Sequence, residues 1–430
     1  MTIRSGPAPS ELPLSALEFW ALPVEEREAT FAALRAREHP AFFSEIPVPF
    51  VRPGKGFYAL VRHADVSEAS RHPDVFSSEP SATSIPDFPA YMERFFGSLI
   101  NLDDPRHAKI RRIVSRAFTP KMLAKTEDDI RRRAARIVDE LVETGPGDFV
   151  SKVAVRLPVE VICDMLGIPE HYHARVVRRT NVILGNSDPE YTGVTPGAEM
   201  SRVAAGRALL KIMWAARDLH RLAARLGRER MKNPTGDLTS ALVTANVDGE
   251  HLTTRELGSF FLLLVVAGNE TTRTALSHAL KLFTDFPDQR AVLLEDFEGR
   301  IGGAVEEIVR YSTPVIFMRR NLTRDHEMNG HTYKAGDKVL LFYNSANRDE
   351  TVFDHPDVFD ITRDSNPHVG FGGPGPHFCL GANLARREIT VMLRELFTRL
   401  PDIRADGEPD RLLSGFINGY KRLPCTFTGP

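Results

Sequence analysis

The sequence predicts a mainly α-helical protein with small β-sheets, folded as one large domain. Three observations predict it. Long stretches place apolar residues at helical spacing. Strand-like segments are short and lie before or after the helical body instead of alternating with helices, which argues against a doubly wound fold. No repeat, low-complexity linker or break in composition divides the 430 residues. Residues 1–12, rich in Pro and Ser, are expected to be loose, leaving a domain over 13–430.

The helices are read in order. Residues 104–117 open on Asp104-Pro105, a cap and first-turn pair. Residues 126–144 form a charged amphipathic helix ended by Gly145-Pro146. Residues 158–166 form a short buried helix stopped by Gly167-Ile168-Pro169, and residues 202–231 a longer one. The longest runs from Thr253 to about Asp285. Thr253 and Glu256 have capping-box spacing, and Pro287 stops it. At 1.5 Å per residue this stretch of roughly 30 residues, Thr253 to Asp285, spans ~48 Å, enough to cross the domain. Strands are expected at Gly56–Val61, Arg319–Asn321, Thr332–Tyr333, Lys338–Phe342 and Arg422–Thr428.

Bulk numbers narrow the function. The 55 basic and 57 acidic residues nearly cancel, to −2, without the basic excess of a nucleic-acid binder. Clusters such as Arg111, Arg112 and Arg116, Arg131–Arg133, and Arg386-Arg387 read first as solvated helix faces. Three cysteines exclude a disulfide framework and suit a reducing cytosol. No signal peptide is visible in the first twenty residues. The longest apolar run, Phe260–Ala267, falls far short of the ~20 residues that span a bilayer. A cytoplasmic monomer without a membrane anchor is expected.

The most informative stretch is Phe371-Gly-Gly-Pro-Gly-Pro-His-Phe-Cys379-Leu-Gly381. Gly and Pro fix a tight backbone, and a helix-forming stretch (Ala382–Leu400) follows. A cysteine at a helix start is expected to have a lowered pKa. The residues alone leave alternatives open. A dinucleotide fingerprint would need a third Gly where Phe378 stands. A zinc site would need further Cys or His at regular spacing. A catalytic cysteine needs no Gly-Pro repeat, and taken alone a lone Cys in a Gly-rich loop is more often structural. Cys163, in an apolar helix, and Cys425, in a terminal strand, read as packing residues.

The long helix carries Ala267-Gly268-Asn269-Glu270-Thr271-Thr272 directly after its apolar run. A polar island on a buried helix is costly unless satisfied. It reads either as a core helix with a wet face or as a groove, in which Gly268 admits a ligand to the backbone and a Thr hydroxyl bends back to a carbonyl. Glu307 and Arg310 stand one turn apart.

Taken together, these segments resemble the cytochrome P-450 family, from about residue 15 to 428. Phe371, Gly372, Gly375, His377, Cys379 and Gly381 match its haem-binding loop, with Pro374 and Pro376 as departures expected to stiffen it. The resemblance implies haem b with Cys379 as the iron's sulfur ligand, a thiolate favouring O–O cleavage. It implies Glu270 as an acid reaching solvent and Thr271 as the hydroxyl beside bound oxygen, with Ala267 and Gly268 against the haem. Glu307, Arg310 and Arg363 would form a buried network. His107, Arg111, Arg320 and His377 would meet the haem propionates, Arg320 being preferred to Arg319.

Among branches of the family, the chain looks most like actinobacterial methyl-branched lipid ω-hydroxylases, on segments such as Asp103–His107, Ile113–Pro120, Leu262–Arg273 and Ser345–Glu350. That implies a monooxygenase acting on the terminal methyl of a branched fatty acid, isoprenoid or sterol side chain. The alternative is tailoring of a terpenoid or polyketide. A sensor without turnover and a peroxide-driven oxygenase are further readings, the first opposed by Glu270 and Thr271. Phe88, Phe95, Leu263, Val266, Ala267, Val315, Phe317, Phe416 and Ile417 are expected to line an apolar pocket. Electrons would come from a ferredoxin and its reductase, docking on Arg111, Arg112, Arg116 and Arg387.

Overall fold

The computed structural model describes residues 12–49, 51, 54–115, 118, 120–185, 187–193, 202–245 and 251–429. Helices make the body. Those that position the site are α1 (Val24–Arg35), α2 (His63–Arg71), α3 (Arg106–Ser115), α4 (Pro120–Thr144), α5 (Arg156–Met165), α6 (Arg202–Lys232), α7 (Thr254–Asp285), α8 (Phe297–Ser312) and α9 (Ala382–Arg399).

The longest, α7, has 32 residues, ~48 Å at 1.5 Å per residue. Its start is fixed by a reciprocal cap. The Thr253 hydroxyl accepts from the Glu256 N–H at 3.2 Å, and the Glu256 carboxylate accepts from the Thr253 N–H at 2.9 Å. Most of its side chains are buried, and it packs against α5, α6, α8 and α9. Each fully buried Leu or Phe here stabilises the fold by roughly 1.5–3 kcal/mol. The helix is therefore a rigid beam through the main core.

The predicted helices hold with shifted ends. α3 begins at Arg106, so Pro105 precedes it, while the Asp104 carboxylate still accepts from the Ala108 N–H at 3.0 Å. α4 begins six residues before the predicted start, at Pro120, and ends at Gly145, whose φ of 70° suits glycine. The Arg131–Arg133 run is not all solvated face, because Arg133 reaches Asp164 of α5 at 2.6 Å.

The principal sheet runs β1 (Ala41–Phe43), β2 (Phe57–Leu60), β5 (Lys338–Phe342), β4 (Phe317–Leu322) and β3 (Phe76–Ser77) across its width. β2 and β5 are parallel, and the other pairs are antiparallel. The carboxy-terminal stretch splits into two short strands, Tyr420–Arg422 and Pro424–Thr426, in separate sheets. Cys163 and Cys425 are both buried. The proposed loose segment lies outside the described residues up to Glu11. Leu12, its last residue, packs against the cluster of Phe19, Trp20, Phe31 and Phe342. Among the described residues, no helix is long and apolar enough to cross a membrane.

Candidate active site

The cysteine loop lies flush on the end of α2. Gly375 has φ 149°, and a Cβ there would sit 2.1 Å from the carbonyl oxygen of Ser70. Gly372 has φ 89°. The Phe371 carbonyl accepts from the Cys379 N–H at 2.9 Å, which turns the chain back on itself. Helix α9 starts three residues later, with Gly381 as its cap. Cys379 itself is exposed.

The protein packed around this accessible thiol desolvates it and raises it above its ordinary value, against lowering by the Gly381 N–H, Arg111 and Arg386. The expectation of a lowered pKa from the helix start is therefore corrected. The low-dielectric surroundings outweigh one N–H and two guanidiniums. A metal ion on the sulfur would supply the missing positive charge, since a coordinating thiol is deprotonated outright.

Above the loop, α3 and β4 bring three nitrogenous side chains towards His377 of the loop itself. The His107 and His377 rings lie 4.2 Å apart. His107 is 2% exposed, with no partner for Nε2. His377 meets the Ser78 hydroxyl at 3.0 Å. Burial, reinforced by Arg320, His107 and Arg111, pushes its imidazole down to about 2. Arg320 is buried and donates to the Arg319 carbonyl at 2.7 Å. Arg111 donates to the Phe378 carbonyl at 2.6 Å. Among the described residues, neither guanidinium has a carboxylate at ion-pair distance, which is costly for buried charge. The cluster fits a group bearing two carboxylates, as haem does. Arg319 points elsewhere, to Asp87 and to the Ser84 and Ile85 carbonyls at 3.2 and 3.1 Å. Alternation along the strand puts it on the opposite face from Arg320.

On α7 one face is open. Leu263, Val266 and Thr271 are half-buried and Ala267 is exposed, on a helix otherwise largely buried. The Thr271 hydroxyl donates to the Ala267 carbonyl at 2.7 Å. Two expectations need correcting. Gly268 does not face the groove: a Cβ there would sit 3.1 Å from Cγ1 of Ile162, so its small size serves the packing of α7 on α5. Glu270 does not reach solvent. It is 1% exposed and paired with Arg273, one turn on. Burial raises its pKa and Arg273 opposes the rise. Its Oε2 has no partner, nor do both amide atoms of the neighbouring Asn269, which is wholly buried. Arg273 in turn donates to Asn181 at 3.1 Å.

Beneath the loop, Glu307 accepts from Arg310 at 2.7 and 2.8 Å and from Arg363 at 3.2 Å. Arg310 also donates to the carbonyls of Asn347 and Pro356, each at 2.8 Å. Sequence reasoning missed other members. Asn366 reaches Glu307 at 3.0 Å. Glu306 binds Arg386 at 2.6 Å and His368 at 2.9 Å, and with those partners its carboxyl falls to about 2. Arg386 also lies 4.5 Å from the Phe371 ring centre, so it braces the loop.

The remaining expectations divide. Val315 and Ile417 pair as an isolated bridge. Phe95 stacks on His220 at 4.4 Å, and the Phe88 N–H reaches Glu93 at 3.3 Å. Phe317 is corrected to core, because its ring packs on Phe342 and Phe416, 5.9 and 5.4 Å away. Met318, the next residue of β4, takes the face of Arg320 instead. The arginines expected to dock a ferredoxin differ in their surroundings. Arg387 is paired with Glu127, Arg111 turns inward, and Arg116 lies outside the described residues. Arg112 is exposed.

Comparison with known proteins agrees with this geometry. The sequence model of the cytochrome P-450 family matches residues 54–401. A methyl-branched lipid omega-hydroxylase of Mycobacterium tuberculosis is 48% identical, over 99% of this chain and 97% of that protein. A steroid C26-monooxygenase of Mycolicibacterium smegmatis is 38% identical, over 95% and 91%. A solved Mycobacterium marinum cytochrome P-450 in complex with pseudoionone superposes with a TM-score of 0.90 and 41% identity, over 99% of this chain and all of that one. The chain therefore belongs to the cytochrome P-450 family and is a haem b-dependent monooxygenase.

Proposed function

We propose that the chain hydroxylates the terminal methyl of a methyl-branched lipid, isoprenoid or sterol side chain. The observation that carries this reading is the near-full-length identity to an ω-hydroxylase of such lipids, with the steroid C26-monooxygenase next to it. The open face of α7 supports it, because Leu263, Val266 and Ala267 offer an apolar bed free of charge.

In this reading Cys379 is the sulfur ligand, and His107, Arg111, Arg320 and His377 meet the propionates. Phe371, Gly381, Ala267 and the backbone at Gly268 complete the cofactor's surroundings. The bound haem supplies oxygen activation driven by two electrons. The chain's own residues do the rest. Apolar side chains of the groove exclude water and orient the lipid's end. The Thr271 Oγ1 proton, held by the Ala267 carbonyl, is available for transfer. Glu270, kept from ionising easily by burial, stores a proton one residue away. The electrons arrive from a ferredoxin and its reductase, in the cytoplasm.

Two experiments test this. The Cys379→Ser variant is expected to lose the thiolate-type carbon monoxide absorption and turnover; retention of both overturns the ligand assignment. A binding screen follows the haem absorption shift with branched fatty acids, isoprenoid alcohols, sterols and macrolides, and products are identified by mass spectrometry. Response to bulky macrolides alone overturns the lipid reading in favour of natural-product tailoring.

A further inference from the structure

A second cavity, of about 660 Å³, opens between α1, the far end of α7 and the segment 408–420. None of its walls belongs to the cysteine loop, to α3 or to the groove face of α7 at 263–271. That volume lies within the usual ~300–1,000 Å³ of a small-molecule site.

Its charges are unevenly paired. Lys281 binds Asp285 at 2.7 Å and Glu408 at 3.4 Å. Arg348 binds Asp357 at 2.8 Å and approaches Glu28 at 3.8 Å. Arg27 and Arg411 have no carboxylate at ion-pair distance among the described residues. They are close enough to repel one another, while Glu28 and Glu25 attract Arg27 from beyond ion-pair distance, and Arg27 Nε is buried without a partner. Glu25, on the exposed side of α1, is the remaining acid of the wall.

Around the two guanidiniums the wall is amphipathic. Arg27 lies 5.8 Å from the Trp20 ring centre and Arg411 5.5 Å from that of Tyr420, so both heads are held in aromatic frames. Ser312, 1% exposed, also lines the cavity, with a hydroxyl that has no partner. His278 is no cation here. It is fixed between the Asn418 carbonyl at 2.8 Å and the Tyr420 hydroxyl at 3.1 Å, and burial drives its imidazole down to about 3. Two guanidiniums without an ion-pair partner, in one cavity with a hydroxyl that has none, suit an oxyanion.

We propose that this cavity binds an amphipathic organic anion, its carboxylate or phosphate head between Arg27 and Arg411 and its apolar body against Trp20, Phe286 and Tyr420. The site is separate from the catalytic groove, so occupancy leaves the haem spectrum unchanged.

The test is calorimetric titration of the holoenzyme with dodecanoate, dodecyl phosphate and dodecanol, with the haem absorption followed in parallel. At least one anion is expected to bind with an equivalent that the haem does not register. The tighter of the two identifies the preferred head. Arg411→Gln, at an exposed position, and the double variant R27Q/R411Q are expected to weaken that silent equivalent at least roughly tenfold. Both should keep the wild-type carbon monoxide spectrum, which shows that they are folded. The proposal is overturned if neither anion gives a silent equivalent, if the equivalent survives in R27Q/R411Q, or if dodecanol binds there as tightly as the anions.

Discussion

The hydroxyl of Thr271 donates to the carbonyl of Ala267, 2.7 Å away on the preceding turn of α7. This bond parks a proton donor on the open face of the helix. Thr271→Ala removes the donor but leaves the groove's apolar lining. The expected outcome is a fall in product formation of ~10²-fold or more, the usual size of lost acid–base help. The substrate-induced absorption shift should stay close to wild type, and Thr271→Ser should restore most activity. A T271A enzyme with undiminished product per electron consumed would exclude Thr271 from proton delivery.

Glu270 gives a pH-dependent prediction. Its folded pKa is raised by burial and lowered by Arg273. A carboxyl whose folded value exceeds its unfolded one favours the fold fully below the unfolded value, and that contribution is lost as pH rises through the folded value. Wild-type protein should therefore lose stability relative to Glu270→Gln as pH rises from 4 towards 8, read by urea unfolding of the two proteins. Replacing Arg273 with Gln removes the opposing charge, so the ionisation should move to higher pH in the rate profile. A stability difference independent of pH would mean that Glu270 ionises as freely in the fold as out of it.

What could be read from the sequence was local. The cap of α7 needs only Thr253 and Glu256, three residues apart, and the bend before Cys379 is written in adjacent Gly and Pro. Several misreadings concern which neighbour a side chain meets. Gly268 has a groove-like context in sequence, but Ile162, about a hundred positions earlier, lies over it. Glu270 stands in a polar island, yet it is buried and paired with Arg273, which Asn181 holds in turn. Phe317 and Met318 are equally apolar, and only the register of β4 on β5 assigns them to opposite faces. Glu306 and His368 carry no short-range pattern at all. Glu306 meets Arg386 because α8 and α9 pack side by side, and His368 binds the same carboxylate.

The network under the loop predicts a structural failure distinct from a catalytic one. Glu307 is wholly buried and neutralises Arg310, also wholly buried. Glu307→Ala leaves Arg310 unpaired, and breaking such a pair costs about 3–5 kcal/mol. The variant should melt well below wild type and retain haem poorly. Glu307→Gln keeps the shape and part of the hydrogen bonding, so it should fall between the two. The measurement is thermal unfolding followed at the haem band; equal melting of E307A and wild type would make the network dispensable.

Two glycines of the cysteine loop offer a matched pair. At Gly375 an added methyl would strike the Ser70 carbonyl at 2.1 Å, at a φ of 149° that L side chains rarely adopt. The backbone of α2 would have to move, and the loop carrying Cys379 with it. At Gly381 nothing lies within 4 Å of the position a Cβ would take, and φ is −89°. Gly375→Ala should therefore lower the haem content of purified protein and shift part of it to a form lacking the thiolate-type carbon monoxide band. Gly381→Ala should keep both and change stability by less than about 1 kcal/mol, the scale of a Gly-to-Ala exchange at an unstrained position. If both variants behave alike, the loop is not held by its contact with Ser70. The geometry of Cys379 would then be set by α9 alone.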